Sequence, residues 1–272
     1  MNSFIIRALS ALAAVLIVCG AYYWGKSLAL GIMVAIAIVL GSWEIYRLLY
    51  GPKPSSLSVL PLALMICGNA LVNYFVPVMT GVALAASFVL IAIFVMLSRH
   101  NKTSLEGVEL RIFKALVAIL YVGIMPSYAA KIILLPQGEG WFFALLLVVF
   151  AGDVGAYLAG SLFGVHTMMP ALSPKKSWEG SLGGILFSLV AGVVCLWAGL
   201  KVSPYAFMVF CLFVEIAAQQ GDFFESLIKR IAQVKDSGTL MPGHGGVLDR
   251  LDGIFFAAPL FYLFAWITTH GF

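Results

Sequence analysis

The sequence predicts an all-α, polytopic membrane protein, and three observations carry that prediction. Of 272 residues, 62% are hydrophobic and only 10% are charged, against roughly a quarter charged in a soluble domain. The mean hydropathy of +1.04 leaves no solvated skin for a water-exposed fold. The apolar residues also fall into runs of about 20, the length that crosses a bilayer as a helix. These features exclude a soluble enzyme, a disordered chain and a disulfide-stapled secreted domain. The four cysteines (Cys19, Cys67, Cys195, Cys211) agree, since each lies singly in an apolar run and reads as a small hydrophobe.

About nine spans follow in order. The first, 5–24, has Arg7 ahead of an apolar run, as a signal peptide would. Its length and the bulky Val18 before Cys19 favour a retained helix. The second is 28–49. The third and fourth, 57–76 and 78–98, meet at a tight turn near Val76-Pro77, and would reduce the count to eight if they formed a re-entrant pair. The rest are 112–134, 141–163, 181–200, 204–226 and 253–271. Residues 1–135 read as scaffold and 136–272 as the part that carries chemistry. With nine spans, thirteen Lys and Arg collect on one side and only Lys26, Lys131 and Lys201 on the other. The positive-inside rule then puts the N-terminus in the cytoplasm and the C-terminus outside.

Acids inside spans need a reason. Glu44 sits one turn before Arg47, close to a helix end, and reads as structural, either snorkelling or ion-paired. Asp153 lies mid-span and must face a bundle interior or a water-filled cavity; Glu215 has no partner assignable from sequence. Small residues recur every fourth position at Gly152, Ala156, Gly160 and Gly164, and again at Gly180, Gly184, Ser188 and Gly192. Such ribbons let two helices pack closely, fixing the loop Val165–Glu179 between them as a rigid feature.

The densest polar stretch runs from Asp222 to Asp252. Spans eight and nine are antiparallel, so Asp222 can face Asp249 and Asp252, which are three apart and share a helix side. Asp222 and Ser226, four apart, share a face too. Three carboxylates beside Lys229, Arg230, Lys235, His244 and Arg250 point to a metal-plus-phosphate site. Mg²⁺ suits it, being held by few carboxylates and by substrate oxygens, with Asp222, Asp249 and Asp252 as ligands and a second cation left open. Gly245 and Gly246, after Pro242-Gly243-His244, can bring backbone amides to an anion; no Walker loop is present. A cation transporter is the rival reading, though most charge pools at one face. A phosphotransferase using another nucleotide or lipid is a second rival.

The segment Ser226-Leu-Ile-Lys229-Arg230, Lys235-Asp236-x-Gly238, Pro242-Gly-His244-Gly245-Gly246 and Asp249-Arg250-Leu-Asp252 resembles the signature of phosphatidate cytidylyltransferases. Asp153-Val-Gly-Ala156-Tyr157 and Ser173-Pro174-Lys175-Lys176-Ser177-Trp178-Glu179-Gly180 are similar to the same family, with Ser177 in place of a more usual Thr. The resemblance implies Mg²⁺-dependent transfer of CMP from CTP to phosphatidic acid in the bacterial inner membrane, at its cytoplasmic face and without nucleic acid, by a homodimer. It also implies roles. Asp222, Asp249, Lys229, Arg230, Lys235, His244 and Arg250 would be catalytic. Asp153, Ser173, Lys175, Lys176, Ser226, Asp236, Gly245 and Gly246 would contact substrate.

Overall fold

Helix follows helix through residues 3–51, 56–98, 108–238 and 245–271, which this computed structural model describes. α1 (Ser3–Tyr50) loses helical geometry at Lys26, where φ is 47° and ψ is −136°. That break falls in the expected gap between the first two spans. α2 (Ser56–Phe75) and α3 (Thr80–Ser98) flank a short 3-10 turn, Pro77–Met79. Pro77 has no N–H to continue α2 and a φ suited to starting the turn. α4 (Val108–Ala118) passes through a π-helical stretch, Ile119–Ile124, into α5 (Met125–Ile133), so the fifth expected span has a widened middle.

α6 (Gly138–Phe163), α7 (Trp178–Trp197), α8 (Pro204–Ile231) and α9 (Leu248–His270) follow. Between α6 and α7, β1 (Thr167–Met169) pairs antiparallel with β2 (Ser173–Ser177). The all-α expectation therefore needs one amendment, a small hairpin within Val165–Glu179. Ser, Thr and Pro in that segment are poor helix interiors. α7 and α9 also begin earlier than expected, at Trp178 rather than 181 and at Leu248 rather than 253. Both starts are polar turns whose amides are capped by side chains, a signal that hydropathy alone does not read.

Among the described residues, seven helices are long and apolar enough to cross a membrane, and α2 contributes a shorter apolar stretch, Val59–Phe75. The protein is a multi-pass membrane protein. α6 and α7 form the most extensive helix pair. Their backbones touch along the small-residue ribbons: a Cβ on Gly180 would lie 2.9 Å from the Ala156 carbonyl oxygen and 3.3 Å from Gly160 Cα. Away from the hairpin, the buried Trp141, Phe207 and Phe261 pack edge to face, and Phe210 stacks on Phe264 at 4.1 Å. Interhelical hydrogen bonds hold the scaffold, as membrane bundles commonly require. Asn69 Nδ2 donates to Ser87 Oγ at 2.7 Å, and Asn73 Nδ2 to Ser127 Oγ at 2.7 Å.

Candidate active site

The end of α8 and the start of α9 meet where Gly221 lets the backbones touch; a Cβ there would overlap the Asp252 carbonyl. This contact brings together Asp222 and Glu225 of α8 and Asp252 of α9. One carboxylate oxygen from each lies within 4.8 Å of the others. Glu225 is 1% exposed and Asp252 8%. Two lysines answer them. Lys229 Nζ donates to Glu225 Oε2 at 2.7 Å and to Asp249 Oδ1 at 2.6 Å. Lys176, delivered by β2, places Nζ 2.5 Å from Asp222 Oδ2 and 4.1 Å from the Phe223 ring centroid. Among the described residues, Lys176 Nζ has no hydrogen bond beyond this ion pair, and Glu225 Oε1 has no hydrogen-bond partner. Counted as ionised, Asp222, Glu225, Asp249 and Asp252 exceed these two lysines by two charges. A hard divalent cation with oxygen ligands fits that excess and that open oxygen.

Asp249 is engaged differently. Besides Lys229, it accepts at Oδ2 from the Ser237 and Gly246 amides, each at 2.8 Å, with Ser237 Oγ also at 2.8 Å. Next to it lies Glu44 of α1, 1% exposed. Glu44 Oε1 accepts from Val247 N and Oε2 from Leu248 N, both at 2.9 Å, and Ser237 Oγ lies 3.1 Å from Oε2. A carboxylate at the N-terminus of α9 satisfies its first amides and complements the helix dipole. In place of snorkelling or an ion pair with Arg47, Glu44 takes this longer-range role, because two orphan amides at a helix start need an acceptor. Gly245 takes a left-handed φ of 82°, and a Cβ on Gly246 would overlap Glu44 and Ser237. These glycines pass the chain between two carboxylates.

The hairpin is fastened from both sides. Glu179 accepts from the amides of Val165 and His166 at 3.2 Å and meets His166 Nδ1 at 2.6 Å. Ser177 Oγ caps α7 by accepting from Gly180 N at 3.1 Å, and Arg230 Nε donates to the Leu172 carbonyl at 3.1 Å.

Ser173 is half-buried at the start of β2, and Lys175 is exposed beside Lys176. Ser226 is half-buried one turn beyond Asp222; Lys235, Asp236 and Arg250 are exposed around the same end. His244 lies outside the described residues. Asp153 is exposed, yet Asp252, Glu215, Asp222 and Lys176 all act on it electrostatically. It therefore lies within electrostatic reach of the acid cluster. Deeper in, Glu215 is held by Ser188 Oγ at 2.7 Å and Gln219 Nε2 at 2.8 Å, and Gln219 in turn by Ser181. A Cβ on Gly152 would collide with the Glu215 carboxylate.

Sequence reading expected Asp222, Asp249 and Asp252 to share an ion. The structure puts Glu225 beside Asp222 and Asp252, and sets Asp249 among loop amides. The spacing of three between Asp222 and Glu225 was the available signal for the former.

Residues 5–268 match the model of the Cytidylyltransferase family. A phosphatidate cytidylyltransferase of Mycobacterium bovis is 38% identical over 148 residues, which are 54% of this chain and 47% of that protein. One from Bacillus subtilis is 37% identical over 148 residues, 54% of this chain and 55% of the relative. The chain thus spans about half the length of these relatives. One from Synechocystis sp. is 33% identical over 286 aligned positions, covering 93% of this chain and 92% of the relative. With the match running through every element that builds the acid cluster, the chain belongs to the cytidylyltransferase family.

Proposed function

We propose that the chain transfers CMP from CTP to phosphatidate, giving CDP-diacylglycerol and pyrophosphate. The observation that carries this reading is the under-compensated acid cluster Asp222, Glu225 and Asp252 beside Lys176 and Lys229. It is joined by what the relatives are named for. Asp222, Glu225 and Asp252 would hold Mg²⁺, with Asp249 fixing Lys229 and the loop around them. The ion would supply neutralisation of the triphosphate charge at the reacting phosphorus.

A phosphatidate oxygen attacks the α-phosphorus of CTP. The new P–O bond forms as the bond to the β-phosphate oxygen breaks, and pyrophosphate leaves with that electron pair. The lipid phosphate is largely dianionic near neutral pH, with a second pKa of about 6, so no strong base is needed. The barrier is repulsion between anions, and preorganised cations lower it. Lys176 and Lys229 are held in place by the same carboxylates and present their charge at the cluster. Lys175, Arg230, Lys235 and Arg250 gather phosphates at the rim, His244 is given the same task by the family resemblance alone, and Ser173 on the hairpin with Ser226, Asp236, Gly245 and Gly246 bounds the nucleotide. Asp153 lines the path by which the lipid headgroup enters while acyl chains stay among the helices.

The same proposal places the site at the cytoplasmic face of a bacterial plasma membrane. Dividing α1 at Lys26 and counting α2 brings the seven long helices to nine, with the N-terminus inside and the C-terminus outside. The thirteen-to-three bias of basic residues supports that orientation. A homodimer rests on the resemblance alone. Purified protein in phosphatidate-containing vesicles, given CTP labelled at the α-phosphorus and Mg²⁺, should move the label into the organic phase. Label confined to the aqueous phase would overturn the reading, and ion flux without nucleotide turnover would favour a transporter.

A further inference from the structure

We propose that Tyr121 is a positioning residue of the candidate cation site, its hydroxyl hydrogen-bonding a water that the ion and the Glu225 carboxylate hold in common. The inference rests on the cation site proposed above and adds a residue from the other half of the chain. Tyr121 lies inside the π-helical stretch Ile119–Ile124 and is 2% exposed. Its ring meets Phe224 at 5.1 Å, Phe255 at 5.5 Å and Phe256 at 6.0 Å, mostly edge-on. Phe224 adjoins Glu225, and Phe255 lies one turn beyond Asp252, so the ring is wedged behind both acids.

Among the described residues the hydroxyl is buried with no hydrogen-bond partner, and so is Glu225 Oε1. The acids acting on that hydroxyl are Asp252, Glu225, Asp222 and Asp249. A buried donor and a buried acceptor left open beside one acid cluster are what a bridging water satisfies, since such waters take two to four polar partners. Packing alone does not call for the hydroxyl, because phenylalanine would fill the same space. The local backbone is also specialised. π turns are rare and are frequently found at functional sites, and this one is pinned to α2 at Gly123, where a Cβ would lie 2.8 Å from the Ile66 carbonyl oxygen. Groups that hydrogen-bond around a metal ion typically change its affinity 10–100-fold when removed.

The test is Mn²⁺ titration followed by electron paramagnetic resonance on purified wild type, Tyr121→Phe and Asp252→Asn, with metal-free thermal unfolding of each. The proposal expects wild type to bind Mn²⁺, Asp252→Asn to lose binding, and Tyr121→Phe to bind about tenfold more weakly with an unchanged metal-free midpoint. Wild-type affinity in Tyr121→Phe, with Asp252→Asn defective, would overturn the role of Tyr121 and leave the site standing. Weaker binding with a lowered metal-free midpoint would assign the residue to packing and overturn the role as well. Equal binding by wild type and Asp252→Asn would remove the site and the inference together.

Discussion

Two sets of carboxylates stand side by side where α8 ends and α9 begins, and their surroundings are opposite. Glu44 and Asp249 have their oxygens filled by four backbone amides, a serine hydroxyl and a lysine. Asp222, Glu225 and Asp252 crowd together with fewer donors, and Glu225 keeps an open oxygen. Charge-assisted bonds to amides are strong and directional, so the first set fixes where the loop and helix begin. The second set has fewer donors and, where ionised, repels itself, and the cation proposed above would relieve that repulsion.

Replacing one acid from each set puts the contrast to the test. The largest effect belongs to Asp252→Asn. Turnover should fall about 10³-fold, the scale of losing electrostatic stabilisation at a reacting centre, while the thermal midpoint holds or rises as like charge is relieved. If the variant kept a tenth of wild-type turnover, the distinction would collapse. Next, Asp249→Asn should cost about 3 kcal/mol of stability, as when one member of a buried pair is lost. Faster proteolysis around residues 235–246 should report the loosened loop. A variant as stable as wild type but inactive would instead move Asp249 into the ligand-holding set. The smallest effect is Ser177→Ala, which removes the α7 cap for about 1 kcal/mol and should lower the unfolding midpoint with turnover near wild type. Lost turnover at an unchanged midpoint would give Ser177 a direct role.

The long apolar helices were legible because run length is a nearly context-free signal. Asp222 and Asp252 could be placed together because antiparallel neighbours bring those ends to one depth. Glu225 was harder. As an acid inside a span it needs a reason, but the sequence does not show that its carboxylate meets Asp222 and Asp252 as well as Lys229. Asp249 and Asp252 look interchangeable in sequence, but Asp249 falls in the first turn of α9, where it reaches back to amides. Glu44 illustrates the limit best. Its near neighbour Arg47 is visible in the sequence, whereas its partners are 203 and 204 residues away. Tyr121 depends on a π turn, and no hydrophobic period announces one.

The reach of Glu44 across the chain has a consequence for biosynthesis. A carboxylate already lodged in the bilayer must wait for nearly the whole polypeptide to emerge before Val247 and Leu248 can close over it. The three-acid cluster is therefore withheld until α9 inserts, and a nascent chain stalled short of α9 would carry Asp222 and Glu225 without the Asp252 that completes it.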